Sequence, residues 1–92
     1  MHAVLLTTTI DPERAAEAQS LLGTDVVPRV KEAPGLVTAY WLRSNDRKHG
    51  TSVIILESEE AARAVADIAE GMPSGELVHL DSVEVREVVA HV

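Results

Sequence analysis

The chain has no cysteine and no phenylalanine, and Tyr40 and Trp41 are its whole aromatic inventory. Without cysteine there is no disulfide, no thiolate nucleophile and no thiolate metal ligand, which fits a reducing cytoplasm. Basic residues are also scarce, with 8 Lys and Arg against 15 Asp and Glu. A surface that grips a phosphate backbone needs Lys and Arg to neutralise it, so no nucleic-acid partner is expected. The negative balance serves solubility and identifies no partner. No apolar run approaches the roughly 20 residues that span a membrane, and no membrane partner is expected. Residues 1–7 lack a basic segment, a long apolar run and a small-residue cleavage site, so no secretory signal is expected.

What is present is one plan stated twice. Shifted by half its length, the sequence lays residues 9–18 over 55–64 and residues 36–42 over 82–88. Each half reads as an apolar strand, an acidic helix start, an Ala-rich helix and a second strand. Two such βαβ units in succession make a ferredoxin-like domain: α+β, βαββαβ, a four-stranded antiparallel sheet with two helices on one face. At 92 residues the chain makes a single domain, residues 1–92.

The first strand is expected over residues 3–9, ended by Asp11-Pro12. Asp11 is a good N-cap, Pro12 sits where a helix tolerates proline, and Glu13 places negative charge at the positive end of the dipole. The helix that follows buries Leu22, Val26, Val30 and Ala33 on its spacing. Gly23 weakens it, and Pro28 removes a hydrogen bond to Thr24, so a kink or short break is expected between Gly23 and Val27. Pro34-Gly35 stops it. Strands at 36–43 and 51–56 flank a polar hairpin loop, and Ser58 caps a second helix with Glu59 and Glu60 in its first turn. That helix carries Ala62, Val65, Ile68 and Ala69 as apolar positions and is broken over residues 71–75. The tail alternates but slips phase at Asp81-Ser82 and Arg86-Glu87. It reads as a last strand over about 82–91, with a short extended piece before it and room for a bulge.

Alternation along these strands places apolar side chains on both faces. Val4, Leu6 and Ile10 oppose Ala3 and Leu5, and Val53 and Ile55 oppose Ile54 and Leu56. Leu36, Tyr40 and Leu42 oppose Val37, Ala39 and Trp41, and Val83, Val85 and Val89 oppose Val88, Ala90 and Val92. Two helices cover one face only. An exposed patch of several hundred Å² is rare on a soluble monomer, and a domain this small gains from further burial at about 25 cal/mol per Å². The sequence therefore predicts a homodimer paired face to face.

The run Pro34-Gly35-Leu36-Val37-Thr38-Ala39-Tyr40-Trp41-Leu42-Arg43-Ser44 is followed by a polar turn and a strand ending in Glu57-Ser58-Glu59-Glu60-Ala61. With the Val-rich last strand, these segments resemble the dimeric α+β barrel superfamily, and within it small proteins of the antibiotic-biosynthesis-monooxygenase type. The resemblance implies two sheets paired into one barrel, and a small organic ligand held between sheet and helices of each subunit. It implies cofactor-independent monooxygenase chemistry as the best named activity, with no cofactor. A non-catalytic dimer that binds a metabolite or supports another protein is the alternative. Family members that degrade haem pair a tryptophan with an asparagine and a histidine. Here the only asparagine, Asn45, lies in the hairpin loop, and no matching trio can be placed.

Three residues are candidates for a ligand pocket. Trp41 offers a stacking surface and an N–H donor, although tryptophans also serve simply as core or interface residues. Arg43, at the end of the same strand, suits an anionic ligand or a surface carboxylate. His79 lies where the chain leaves the Gly/Pro loop, at the rim of any cavity between helices and sheet; the plainer reading is a solvated histidine. His2, His49, His79 and His91 show no metal-ligand spacing, and no nucleophile–base pattern or phosphate loop is present. The RNA-binding variant of this topology needs exposed aromatics on its central strands, and these strands carry none. The catalytic residues are left unassigned.

Overall fold

The computed structural model describes residues 1–71 and 78–92. Its elements follow the order β1 (His2–Ile10), a 3₁₀ turn (Pro12–Arg14), α1 (Ala15–Leu21), a π turn (Leu22–Val26), α2 (Val27–Lys31), β2 (Leu36–Arg43), β3 (His49–Leu56), α3 (Glu59–Glu70) and β4 (Val78–Glu87). The strands form one antiparallel sheet in the order β2-β3-β1-β4, and this is the ferredoxin-like arrangement. No helix among the described residues is long and apolar enough to cross a membrane.

The helix starts are built by the residues their chemistry favours. Asp11 accepts from the amide of Glu13 at 3.0 Å, and Ser58 accepts from the amide of Ala61 at 3.1 Å. The break expected near Pro28 takes a specific form. The backbone stays right-handed helical through Leu22 (φ −56°, ψ −50°) and Val27 (φ −57°, ψ −47°), while the Val27 amide bonds back to the Leu22 carbonyl, five residues earlier. The hydrogen-bond register changes here while the backbone dihedrals at both ends of the turn stay helical. Pro28 then falls in the first turn of α2, where its missing N–H costs nothing. After α2, Gly35 turns the chain into β2 at φ 81°, a conformation that favours glycine. Gly71 caps α3 at the start of the expected break, and 72–77 lie outside the described residues.

Two register shifts decide which side chains face which way. In β1 and β3 the alternation is regular. Val4, Leu6, Ile54 and Leu56 face the helices, while Ala3, Leu5, Val53 and Ile55 face the open side. In β2 the register slips between Leu36 and Thr38, leaving Val37 as the extra residue. Leu36 therefore joins Ala39 and Trp41 on the helix face, and not Tyr40 and Leu42 as strict alternation predicts. In β4 the slip falls opposite Thr7 and Thr8 and leaves Asp81 unpaired. The strand begins earlier and ends earlier than the sequence suggested, and the second expected slip lies at its end. Its open side carries Ser82, Glu84 and Arg86, opposite Thr7, Leu5 and Ala3. The expectation of two apolar faces in every strand is thus corrected for β4, whose valines 83 and 85 both face the helices.

The core lies at the end of the sheet where β1 begins. Val4, Ile54 and Leu56 pack there against Ala62 and Ala66 of α3, which lie one helical turn apart. Val30 completes it from the first helical layer and Leu36 from the start of β2. Ile68, expected inside, is two residues beyond Ala66 and so turned about 200° away; it is 69% exposed. Leu22, Val26, Val30 and Ala33 are half-buried, and Ala15 is the buried residue of that layer.

Candidate functional site

Away from the core the helix face of the sheet changes character. Across the row beyond Ala39 it carries Trp41 and Arg43 from β2, Ser52 and Gly50 from β3, and Leu6 and Thr8 from β1. Gly50 is required there: a Cβ would stand 2.8 Å from Thr8 Oγ1 and 3.3 Å from Ile10 Cδ1. Trp41 is half-buried. Its indole N–H makes no hydrogen bond to any described residue. Arg43, two residues along and on the same face, reaches up to α1, where its Nη1 donates to Gln19 Oε1 at 3.2 Å.

Trp41 and Arg43 are therefore brought together, about 7 Å apart along one strand face. His79 is not with them. Without the extra residue at Asp81, His79 would pair with Ile10 on the helix face; the bulge pairs it with Thr9 on the open face instead. It also belongs to the opposite edge of the sheet. Its imidazole lies 3.8 Å from Asp81, which accepts a 2.6 Å bond from the Thr9 hydroxyl. His49 flanks Thr9 from the other side, and His2 meets Glu59 at 3.7 Å near the start of α3. No group of three or more His, Asp or Glu among the described residues is placed to hold a metal ion.

Gln19 was not anticipated. It is exposed and falls one turn after Ala15 and one before Leu22, at the border of the stripe that faces the sheet. A polar side chain in register with that apolar stripe was the available signal. A concavity of about 360 Å³ lies between α3 and β4, lined by Ala66, Val83 and Val85 with Arg63, Asp67 and Glu70 around it. It is open to solvent and separate from Trp41.

No family model matches the chain, and no curated protein matches it. Solved structures do. The chain superposes over 100% of its length on 99% of the haem-degrader MhuD of Mycobacterium tuberculosis, with two haems bound in its active site (TM-score 0.77, 21% identity). It matches a monooxygenase from the gene ActVA-Orf6 of Streptomyces coelicolor, in complex with nanaomycin D, over 99% of this chain and 89% of that one (TM-score 0.66, 16% identity). A dimeric ferredoxin-like protein from an uncultured marine organism matches over 100% and 98% (TM-score 0.62, 14% identity).

This chain has the ferredoxin-like fold that these structures share. Trp41 and Arg43 occupy the helix side of the sheet, while Leu5, Val53, Ile55, Tyr40 and Leu42 occupy the side left open. Tyr40 and Leu42 are 59% and 55% exposed on that side.

Proposed function

We propose that the protein is a cytoplasmic homodimer, paired through the open face of its sheet, that binds a small planar organic molecule beside Trp41. The observation that carries this reading is the pairing of a half-buried tryptophan, its N–H unengaged by described residues, with an arginine held against Gln19 above it. A broad π surface, one donor and one fixed cation suit an aromatic ligand with an acidic hydroxyl or carboxylate. The same arrangement supports cofactor-independent oxygenation, the chemistry of monooxygenases that share the fold. Arg43 would stabilise the anion of a phenol, and that electron-rich anion is what dioxygen oxidises. The ring carbon para to the hydroxyl loses its hydrogen and becomes a carbonyl as the phenol becomes a quinone, with one oxygen atom of dioxygen retained and the other released as water.

A second reading is favoured by the side chains around Trp41. Arg43, Gln19, Ser52 and Thr8 can bind and orient but are poor bases. A binding protein without turnover needs nothing more. Titrating the single tryptophan with quinols and planar hydroxylated aromatics, while recording dioxygen consumption, separates the two. Quenching with oxygen uptake supports the oxygenase, and quenching alone supports the binding protein. No quenching by any of these compounds would make Trp41 a packing residue and end both.

A further inference from the structure

We infer that the molecule bound beside Trp41 is an aryl carboxylate, and that Gln19 is the positioning residue that holds Arg43 for it without neutralising it. The inference rests on the ligand site proposed above and narrows its chemistry. In a chain with 15 acidic side chains against 8 basic ones, arginines find carboxylates readily. Arg14 meets Glu17 at 3.0 Å, Arg29 meets Asp25 at 3.1 Å, Arg63 meets Glu59 at 3.6 Å and Arg86 meets Glu84 at 3.0 Å. Arg47 is an exposed residue of the hairpin turn. Arg43 lies in a strand, yet it meets no carboxylate among the described residues. Glu17, two residues from Gln19, is engaged by Arg14. Asp46, three residues on from Arg43, is engaged by the Ser44 hydroxyl and the Lys48 amide.

What holds Arg43 is an amide. Gln19 Oε1 accepts from Nη1 at 3.2 Å, which restrains a long side chain and leaves its charge uncancelled. A glutamate in the same place would reach as far and would neutralise it. The bond to Nη1 leaves the other edge of the guanidinium, Nε–H and Nη2–H, without a partner among the described residues. Those two N–H groups are parallel, and a carboxylate accepts both at once. A phenolate presents a single oxygen and cannot fill the pair in that way. Trp41 is two residues back on the same strand face, about 7 Å along it. That spacing matches an aromatic ring with its carboxylate attached directly, the ring against the indole and the carboxylate at the guanidinium. Ser52 and Thr8, on the neighbouring strands of this face, bring no charge to compete.

The test is calorimetric titration of the full chain with three matched probes, 2-naphthoate, 2-naphthamide and 2-naphthol, in the wild type and in Gln19→Glu. The wild type is expected to bind naphthoate at least about tenfold more tightly than the other two. Its affinity should stay flat from about pH 6 to about pH 8, because a carboxylate is ionised throughout that range. In Gln19→Glu the circular dichroism and urea midpoint should hold, while the preference for acid over amide disappears. Loss of a merely structural bond would not move that preference. Naphthol binding more tightly than naphthoate, with affinity climbing as pH rises, would mean a phenolate site and overturn the inference while the Trp41 site stands. Equal binding of acid and amide by the wild type, or a preference untouched in Gln19→Glu, would overturn it as well. If none of the three probes binds, the Trp41 site itself falls and the inference with it.

Discussion

The guanidinium of Arg43, at the end of an edge strand, donates to the side-chain carbonyl of Gln19 on the helix above it at 3.2 Å. Both partners are exposed, so the bond adds well under 1 kcal/mol to stability. In the binding role proposed above, its value would lie in holding one cation on the strand face that carries Trp41. Arg43→Gln is therefore expected to leave the urea midpoint nearly unchanged. It should lower affinity for an anionic planar ligand at least about tenfold, the equivalent of about 1.4 kcal/mol, while sparing a neutral analogue. Tryptophan quenching titrations with a matched acid and amide check this, and equal losses for both ligands would argue against a charge-specific role.

Val53 and Val85 are both half-buried valines, yet they answer to different neighbours. Val53 lies on the open face of a central strand, and Val85 packs on the helix-side core with Val4. Val53→Asp is expected to give a folded monomer or an insoluble chain, since an unpaired charge buried in an interface costs several kcal/mol. Val85→Asp should unfold the domain instead. Far-UV circular dichroism beside light scattering distinguishes loss of fold from loss of association.

Two glycines near the first helical layer should respond to alanine with opposite signs. Gly35 is held at φ 81°, and a Cβ there would stand 3.2 Å from that of Ala61. Gly35→Ala is expected to cost about 1–3 kcal/mol. Around Gly23, in the π turn, nothing lies within 4 Å of an added Cβ. Gly23→Ala should stabilise by about 0.5–1 kcal/mol through helix propensity and a less free unfolded chain. Urea denaturation of the two variants reads both signs directly.

The hairpin between β2 and β3 carries a pH dependence. The Ser44 hydroxyl donates to Asp46 at 2.6 Å and the Lys48 amide at 2.9 Å, and these bonds hold its carboxyl below the ordinary range. A carboxylate with a lower pKa folded than unfolded contributes stability above its unfolded value of about 3.9. That contribution is lost as pH falls through the folded value. The stability gap between wild type and Asp46→Asn should be full at neutral pH, and it should shrink as the solution is acidified below about pH 4. A gap that widened in acid would reverse the assignment.

Much of this architecture was legible because its determinants are local. Asp11, Ser58 and Pro34-Gly35 mark element ends through their own backbone chemistry, and Pro28 announces a disturbed helix. What local chemistry leaves open is the count of residues along a strand. The extra residues Val37 and Asp81 are fixed by pairing with a neighbour, so Leu36 and His79 changed faces relative to simple alternation. The candidate site was half legible. Trp41 stood out by scarcity and Arg43 by its place beside it, but Gln19 matters only because α1 lies over β2.

The two bulged strands are also the two rims of the sheet, since β2 and β4 are its outer strands and the regular β1 and β3 its inner ones. A rim whose ladder is interrupted and twisted is a poor template for another chain to zip onto. Recruitment of further copies edge to edge, the route by which sheets grow into fibrils, is blunted at both ends. The open face is then the surface left for self-association, and a face is consumed once it is covered. In the proposed homodimer, growth would therefore stop at two.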